Sequence, residues 1–185
     1  MIRIRKNTFE TNSSSTHAFA FYKENKPEID FENYEETIEV YLDDNFDYPI
    51  HTFDDLKSKL RYFYTQYCRY WKEDDDGWYN MYAIKNFMEI IFKILPKVTW
   101  VAPPEDRYSI VYMEDGDCVW ESNYWGNKEE LYDIIKDEET MKRFLQNGVI
   151  YFGSRDVYDP VTYHTPWEDL YDDNPDIQKI IAVTG

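Results

Sequence analysis

Hydrophobic and polar positions alternate at every second residue in the N-terminal part of the chain. Residues 2–5 alternate isoleucine with arginine, and residues 17–22 place phenylalanines at every second position. A period of two is typical of strands, so we predict a hairpin of these two segments around a polar loop over residues 7–16. A third strand is predicted over residues 38–42, and the charged residues 23–36 before it predict a connection.

Apolar residues at helical spacing predict two long helices in the middle of the chain. A stripe over residues 56–71 predicts the first helix, for which Thr52 or Asp54 is the expected cap. The second helix is predicted over residues 78–95 and ends before Pro96, which cannot continue a helix. Its wider apolar face predicts that it is the more buried of the two.

The rest of the chain predicts short elements joined by acidic turns. Strands are predicted at residues 99–101, 108–113, 118–121 and 149–152. Two short helices are predicted, one capped by Asn127 and one that begins at Glu138. Residues 43–53 are predicted to be an acidic linker. Asn147-Gly148 is expected to end the second short helix. Residues 177–183 predict a final strand or a short helix.

Together these elements predict an α+β fold, in which a mainly antiparallel sheet is packed by two longer and two shorter helices. We expect one acidic domain over residues 1–185. It would consist of an N-terminal hairpin over residues 1–22, a helical pair over residues 54–95, and a mixed strand and helix part over residues 98–185.

Composition indicates a reducing compartment. A chain of 185 residues, 43% of them hydrophobic, can bury a core without disulfides. Cys68 and Cys118 form no C-x-x-C pair, which favours free thiols. The N-terminus lacks the apolar stretch of a signal peptide, and no segment approaches the ~18 apolar residues of a membrane span. We therefore expect a soluble, cytoplasmic protein.

The charge is strongly negative and unevenly distributed. Net charge is −17, yet residues 1–26 carry five basic and two acidic residues. The remaining residues carry 15 basic and 35 acidic residues, a net charge of −20. Such a body repels nucleic acid, whose binding relies on neutralising phosphates, and it attracts basic surfaces. Solubility is the alternative explanation for an acidic surface.

Aromatic residues often stand next to these acids. The chain holds 18 Tyr and 6 Trp, residue types that are enriched at protein interfaces. We predict that the acidic and aromatic segments contact a basic protein partner, and the alternative for any single Tyr is a half-buried ring with a solvated hydroxyl. The predicted partner-binding residues are Asp43, Asp44, Asp47, Tyr48, Asp74, Asp75, Asp76, Trp78, Tyr171, Asp172 and Asp173.

The N-terminal polar loop is a second candidate site. Thr11 to Thr16 place five hydroxyls and one amide in six consecutive positions, followed by His17. Such side chains and their backbone N–H groups can bind an anion, or they can satisfy their own turn while His17 joins the core. The residues of a phosphate or nucleotide site would be Arg3, Arg5, Asn12, Ser13, Ser14, Ser15, Thr16 and His17, with Ser15 and His17 as the catalytic candidates.

The same segment carries a resemblance. From Arg5 to His17 the chain contains R-K-N-x-F-E-T-N-S-S-S-T-H. This string resembles the N-terminal signature of a group of uncharacterised phage- and prophage-associated proteins, mainly of Firmicutes. The match covers thirteen residues. It implies a phage-linked origin and a bacterial host cell, and it implies no particular reaction.

Familiar cofactor and metal motifs are absent from the sequence. The acidic run over residues 73–77 lacks the ligand spacing of a calcium loop, and the six glycines form no phosphate-binding motif. We therefore expect no metal and no cofactor.

The sequence leads to two hypotheses about function. The favoured one is a phage-linked acidic protein that blocks a basic, nucleic-acid-binding surface of a host protein, as an anti-defence inhibitor or DNA mimic. The alternative is a small enzyme or ligand-binding protein that uses the loop of residues 11–17.

Overall fold

The computed structural model describes residues 15–22, 27–40, 51–70, 78–103, 135–154 and 177–184. These residues form an α+β fold, as predicted, with three helices and six strands among them. The strands are β1 (Ser15–Tyr22), β2 (Thr37–Glu39), β3 (His51–Phe53), β4 (Thr99–Val101), β5 (Val149–Ser154) and β6 (Ile177–Thr184). The helices are α1 (Leu56–Tyr70), α2 (Trp78–Ile94) and α3 (Glu138–Asn147).

The main sheet has the strand order β3-β5-β1-β6, and every neighbouring pair in it is antiparallel. From Thr16 to Ala20, β1 pairs with β5 on one edge and with β6 on the other. Both backbone edges of this stretch are therefore occupied, so the predicted hairpin with residues 2–5 needs correction. The partners of β1 come from the C-terminal part of the chain instead.

Strand β3 is a second correction. We predicted a linker over residues 43–53, but His51–Phe53 pair antiparallel with Phe152, Tyr151 and Ile150 of β5. Three residues are too few to show a period of two, so this strand is specified by its tertiary pairing. Residues 43–50 lie outside the described residues.

A separate sheet consists of β2 and β4, which are parallel, with Thr37 opposite Thr99 and Glu39 opposite Val101. The amide of Thr99 donates to the carbonyl oxygen of Glu36 at 2.9 Å, which extends this pairing by one residue. The third strand was predicted from alternation, and residues 99–101 were also predicted to be a strand. Their parallel pairing was not, because periodicity carries no information about the partner strand.

Asp55 caps α1, in place of the predicted Thr52 or Asp54. The Ser58 amide donates to Asp55 Oδ1 at 2.9 Å, and the Lys59 amide donates to the Asp55 carbonyl at 3.2 Å. An N-cap side chain must stand directly before the first helical residue to reach these amides. Helix α1 begins at Leu56, and Thr52 belongs to β3.

The relative burial of the two long helices is opposite to our prediction for the side chains that the structure describes. In α1, Tyr62 to Gln66 are five consecutive buried residues, so the helix is enclosed on nearly all sides. In α2, Lys85, Glu89 and Lys93 form an exposed row opposite the buried face of Ile84, Phe87, Met88 and Ile91. Thus α1 is the central helix, and α2 is an ordinary amphipathic surface helix.

Helix α3 ends where predicted, but for a different reason. Gly148 has φ of −78°, which is not the left-handed conformation that usually requires glycine at a helix end. A Cβ atom there would instead lie 2.6 Å from the Phe144 carbonyl oxygen and closer still to the Phe144 ring. Glycine is required because the backbone approaches Phe144 closely as α3 passes directly into β5.

Rings from five described elements meet in the core, in what we call the inner cluster. The Phe63 ring centroid lies 6.5 Å from that of Phe19, 6.1 Å from Phe87 and 6.2 Å from Phe144. The members of the inner cluster are Phe19, Phe21, Phe53, Tyr62, Phe63, Phe87 and Phe144. This cluster fixes both long helices and α3 against the main sheet.

Several predictions concern residues outside the described ranges. They include the strand over residues 2–5, the strands at 108–113 and 118–121, and the short helix that begins at Asn127. The division into an N-terminal hairpin, a helical pair and a mixed part therefore stays a prediction, apart from the corrected pairing of β1.

Candidate interface for a basic partner

The residues of the predicted phosphate site fall into two groups. Arg3, Arg5 and Asn12 to Ser14 lie outside the described residues. Ser15, Thr16 and His17 belong to β1 and not to a loop: Ser15 pairs with Ser154, Thr16 with Gly153 and Thr184, and His17 with Phe152 and Val183.

This backbone arrangement disfavours an anion-binding loop at Thr16 and His17. A strand with neighbours on both edges uses its N–H and C=O groups in the two ladders, so those N–H groups do not surround a ligand.

The predicted partner-binding residues are nearly all outside the described ranges. Only Trp78 is inside them, as the first residue of α2. Asp43, Asp44, Asp47, Tyr48, Asp74, Asp75, Asp76, Tyr171, Asp172 and Asp173 lie outside, so their role in contacting a partner stays a prediction.

An acidic surface does lie within the described residues, in the segment over residues 27–40. Acidic and apolar residues alternate there, and the acids face outward while the apolar side chains are buried or half-buried. Phe31, Ile38 and Val40 are buried in the core, and Ile29 and Tyr34 pack against it. The exposed acids are Glu28, Asp30, Glu32, Glu35 and Glu39, which we call the acidic strip.

A turn orders the middle of the strip. Asp30 Oδ1 accepts from the Asn33 amide at 3.2 Å, and Asp30 Oδ2 accepts from the Asn33 side-chain amide at 2.8 Å. The other end of the strip is part of β2. The carboxylates are thus carried by a backbone fixed by core contacts, by a turn and by a strand pair.

The cations beside the strip have other partners. Lys57 pairs with Glu36 at 3.0 Å, Lys97 donates to Asn33 Oδ1 at 2.6 Å, and Arg61 donates to the Glu39 carbonyl at 3.1 Å. The hydrogen bond from Lys57 lowers the pKa of Glu36, so that carboxylate stays ionised. Within the part of the chain that the structure describes, Glu28, Glu32, Glu35 and Glu39 form no ion pair. Among the described residues, most carboxylates of the strip therefore have no cationic partner.

A groove adjoins the N-terminal end of the strip. It has a volume of about 340 Å³ and is lined by Pro27, Ile29, Asp54, Asp55, Leu56, Leu145 and Gln146. Burial alone would raise the pKa of Asp55, but its hydrogen bonds with Ser58 outweigh burial and lower the pKa. The groove thus combines apolar walls with carboxylate groups.

A second aromatic cluster, the outer cluster, lies where α1, α2 and β4 meet. Its members are Tyr64, Tyr67, Phe92 and Trp100. The Trp100 centroid lies 5.0 Å from Tyr64 and 5.1 Å from Phe92. Tyr67, Phe92 and Trp100 are half-buried. Rings that combine apolar area with partial exposure are typical of interface positions.

Three buried polar groups within the described residues have defined surroundings. Burial raises the pKa of the Cys68 thiol to about 11, despite a hydrogen bond with Tyr64, so the thiol is protonated at neutral pH. Burial and the 2.7 Å hydrogen bond with Tyr22 raise the pKa of Tyr151. Lys59 is fully buried and donates to the Gly148 carbonyl oxygen at 2.8 Å, which ties α1 to the start of β5.

Metal ligands are not grouped anywhere within residues 15–22, 27–40, 51–70, 78–103, 135–154 and 177–184. Among the helices described, none combines the length and the apolar character that crossing a bilayer requires.

Comparison of the chain with protein-family models, with curated proteins and with solved structures gives no significant match. The described surface therefore provides the basis for a functional proposal.

The strip is a site that sequence reasoning missed, because residues 23–36 were interpreted as a connection. The signal was present in Glu28-Ile29-Asp30-Phe31-Glu32, where acids and apolar residues alternate. Apolar anchors between acids distinguish an ordered acidic edge from a solvated linker. The outer cluster, in contrast, depends on tertiary contacts between three elements that no local pattern reveals.

Proposed function

We propose that this protein is an acidic binding protein that covers a basic, nucleic-acid-binding surface of a bacterial host protein. The observation that carries the proposal is the acidic strip, a row of exposed carboxylates on an ordered backbone. The target surface would be one that normally binds phosphates, so the carboxylates take the place of the nucleic-acid backbone.

Order in the strip matters for affinity. A disordered acidic tail loses conformational freedom when it binds, and this loss offsets part of the attraction. The strip is already held by Phe31, Ile38 and Val40 in the core and by the Asp30 turn. Its charges also accelerate encounter with a basic partner, an effect that added salt weakens.

Several sequence-based predictions extend this proposal. The acidic segments at residues 43–48, 74–76 and 171–173 would enlarge the negative surface, and a fourth helix after Asn127 would complete the predicted fold. The signature over residues 5–17 supports a phage-linked origin. An inhibitor of a host defence nuclease, acting in the cytoplasm of the host cell, is the role that combines these features.

Binding of a fluorescent nonaarginine peptide, followed by anisotropy, tests the role of the strip. We compare the wild-type chain with a variant carrying Glu28→Gln, Glu32→Gln, Glu35→Gln and Glu39→Gln. We expect this variant to bind at least about tenfold more weakly, because each lost surface charge contributes a few tenths of a kcal/mol or more. Raising the salt concentration should weaken wild-type binding.

A second variant with the same change in net charge serves as the control. It carries Glu89→Gln, Asp137→Asn, Glu138→Gln and Glu139→Gln on α2 and around the start of α3. An equal loss of affinity in both variants would show that overall charge, and not the strip, attracts the peptide. Absence of peptide binding at low salt would overturn the proposal.

Competition with DNA tests the mimicry. The wild-type chain is immobilised and exposed to lysate of a Firmicutes host, with and without an excess of duplex DNA. We expect captured proteins to be basic, to elute with salt and to be displaced by DNA. Capture that is unaffected by both DNA and salt would contradict the proposed target class.

A further inference from the structure

We infer that the groove between residues 27–29, 54–56 and 145–146 is an arginine-binding pocket for the partner. The inference rests on the proposed function and deepens it, because it assigns one kind of partner side chain to one place on the acidic surface. Its occupant is a guanidinium group with its aliphatic stem, projecting from the basic partner.

The walls of the groove suit the stem of such a side chain. Pro27, Ile29, Leu56 and Leu145 contribute apolar surface. Leu145 is fully buried and Leu56 nearly so, whereas Pro27 is exposed, so the apolar surface extends from the base of the groove to its rim. Arginine and lysine bury their methylene groups along apolar surface while the charged group stays near water.

The polar lining of the groove suits the charged group. Asp54 and Asp55 are both exposed and contribute two carboxylates, and the described residues that line the groove include no lysine or arginine. Gln146 belongs to the last turn of α3, a turn without basic residues. The carbonyl end of α3 carries partial negative charge, part of which is already met by the Lys59 ammonium that donates to the Gly148 carbonyl oxygen.

The geometry of the guanidinium group favours arginine over lysine. A guanidinium donates two parallel hydrogen bonds to one carboxylate and is less strongly hydrated than an ammonium group, so it enters a partly apolar groove at a smaller desolvation cost. Asp55 uses Oδ1 to accept from Ser58. The Asp55 carboxylate also has hydrogen bonds with the Ser58 side chain and with the backbone of Asp55 and Lys57, so it contributes mainly negative charge to the groove.

The groove is continuous with the acidic strip. Pro27 and Ile29 line it, and Glu28 and Asp30 of the strip alternate with these residues along the same segment. A basic segment lying along the strip would therefore pass the mouth of the groove. The charges of the strip would bring any cation close, and the groove would select among cations by shape.

The preference for nonaarginine over nonalysine measures this selection. Both peptides carry the same number of charges, and the part of the arginine preference that depends on the groove is the part that replacement of Asp54 and Asp55 removes. For the wild-type chain we expect nonaarginine to bind about threefold to fivefold more tightly, the equivalent of one favourable surface ion pair. In the variant Asp54→Asn with Asp55→Asn, this preference should fall to near one, while both peptides still bind.

The control variant is Asp137→Asn with Glu139→Gln. Asp55 and Asp137 are both N-cap aspartates, and asparagine also caps helices well, so neither replacement removes its cap. Asp137 and Gln146 are nine residues apart on α3, which corresponds to about 13 Å. This distance exceeds the screening length at physiological salt. The arginine preference should persist in this control.

Chemical shifts of methyl groups locate the bound side chain. We expect saturable changes at Ile29, Leu56 and Leu145 on addition of nonaarginine, and much smaller changes at Ile38 and Ile91. An arginine preference that persists in the Asp54/Asp55 variant, or groove methyls that do not respond while the peptide binds, would overturn the pocket and leave the proposed function intact. Failure of both peptides to bind at low salt would overturn both.

Discussion

The inner and outer aromatic clusters use the same kinds of side chain, and they share helix α1, yet their surroundings differ. The inner cluster lies between the main sheet and the helices, and Phe19, Tyr62, Phe63 and Phe87 in it are fully buried. Among the described elements, the outer cluster adjoins a sheet of two three-residue strands, and three of its four rings are half-exposed. The extent of cover, and not the ring chemistry, separates rings that stabilise the fold from rings that remain available for contact.

Helix α1 explains how one element serves both clusters. Tyr62 and Phe63 face the main sheet and α3, whereas Tyr64 and Tyr67 contact Trp100 and Phe92. An α-helix has 3.6 residues per turn, so aromatic residues at consecutive positions must point in different directions. The run over residues 62–67 therefore supplies rings to two sides of the helix.

Replacing Phe63 with alanine should have the largest effect, because it removes the ring that contacts four others of the inner cluster. Removal of a fully buried aromatic side chain costs about 3–5 kcal/mol. We expect a loss of this size in the free energy of unfolding, measured by chemical denaturation. A loss no greater than that for a ring of the outer cluster would contradict the distinction between the clusters.

Lys59→Ala is expected to cost about 2–4 kcal/mol, because it removes a buried side chain and leaves the Gly148 carbonyl without its 2.8 Å donor. Lys57→Ala is the matched control on the same helix. Lys57 has a side chain 52% exposed and pairs with Glu36 at the surface, so its loss should change stability by less than about 1 kcal/mol. Equal effects of the two replacements would contradict the burial of Lys59.

Trp100→Ala is expected to cost about 1–2 kcal/mol, since the ring is half-buried and loses its contacts with Tyr64 and Phe92. The same denaturation series as for Phe63 gives the comparison directly. If Trp100→Ala were as costly as Phe63→Ala, the outer cluster would be part of the core and would not be free for contact with a partner.

Asp55→Ala should cost about 1 kcal/mol at pH 7, because it removes the cap of the helix that both clusters share. The pKa of Asp55 is lowered in the folded protein. Its stabilisation is therefore present above the unfolded pKa of about 3.9 and is lost as pH falls through the lower folded value.

Asp55→Asn keeps the cap and removes the titrating group. Its unfolding free energy should therefore fall less steeply than that of the wild type between pH 4 and pH 2, in denaturation curves recorded across this range. Identical pH dependence of the two proteins would show that the cap hydrogen bonds do not favour the ionised carboxylate.

The helices were predictable because each has a strong local signal. The apolar spacing gave α1 and α2 to within a few residues, Pro96 ended α2, and Glu138–Asn147 begins after a capping aspartate. The residue that caps α1 was wrong by one position, because several polar residues precede Leu56 and only the true helix start distinguishes among them.

Strand pairing was less predictable, because it depends on residues distant in sequence. Alternation identified β1 and β2, but we paired β1 with residues 2–5 in place of β5 and β6. The candidate site was likewise only partly predictable, because it depends on contacts between residues distant in sequence. Net charge indicated a basic partner, whereas the ordered strip over residues 27–40 and the groove beside it depend on which side chains the core holds.

The position of β1 also has a consequence for the order in which the elements of the fold can assemble. Thr16 pairs with Thr184, although the two residues are far apart in sequence. The main sheet therefore cannot be completed until residues 149–184 have been translated. Contacts between such distant residues slow folding. Helices α1 and α2, which are adjacent in sequence, can meet earlier and would shield apolar surface until the sheet closes over them.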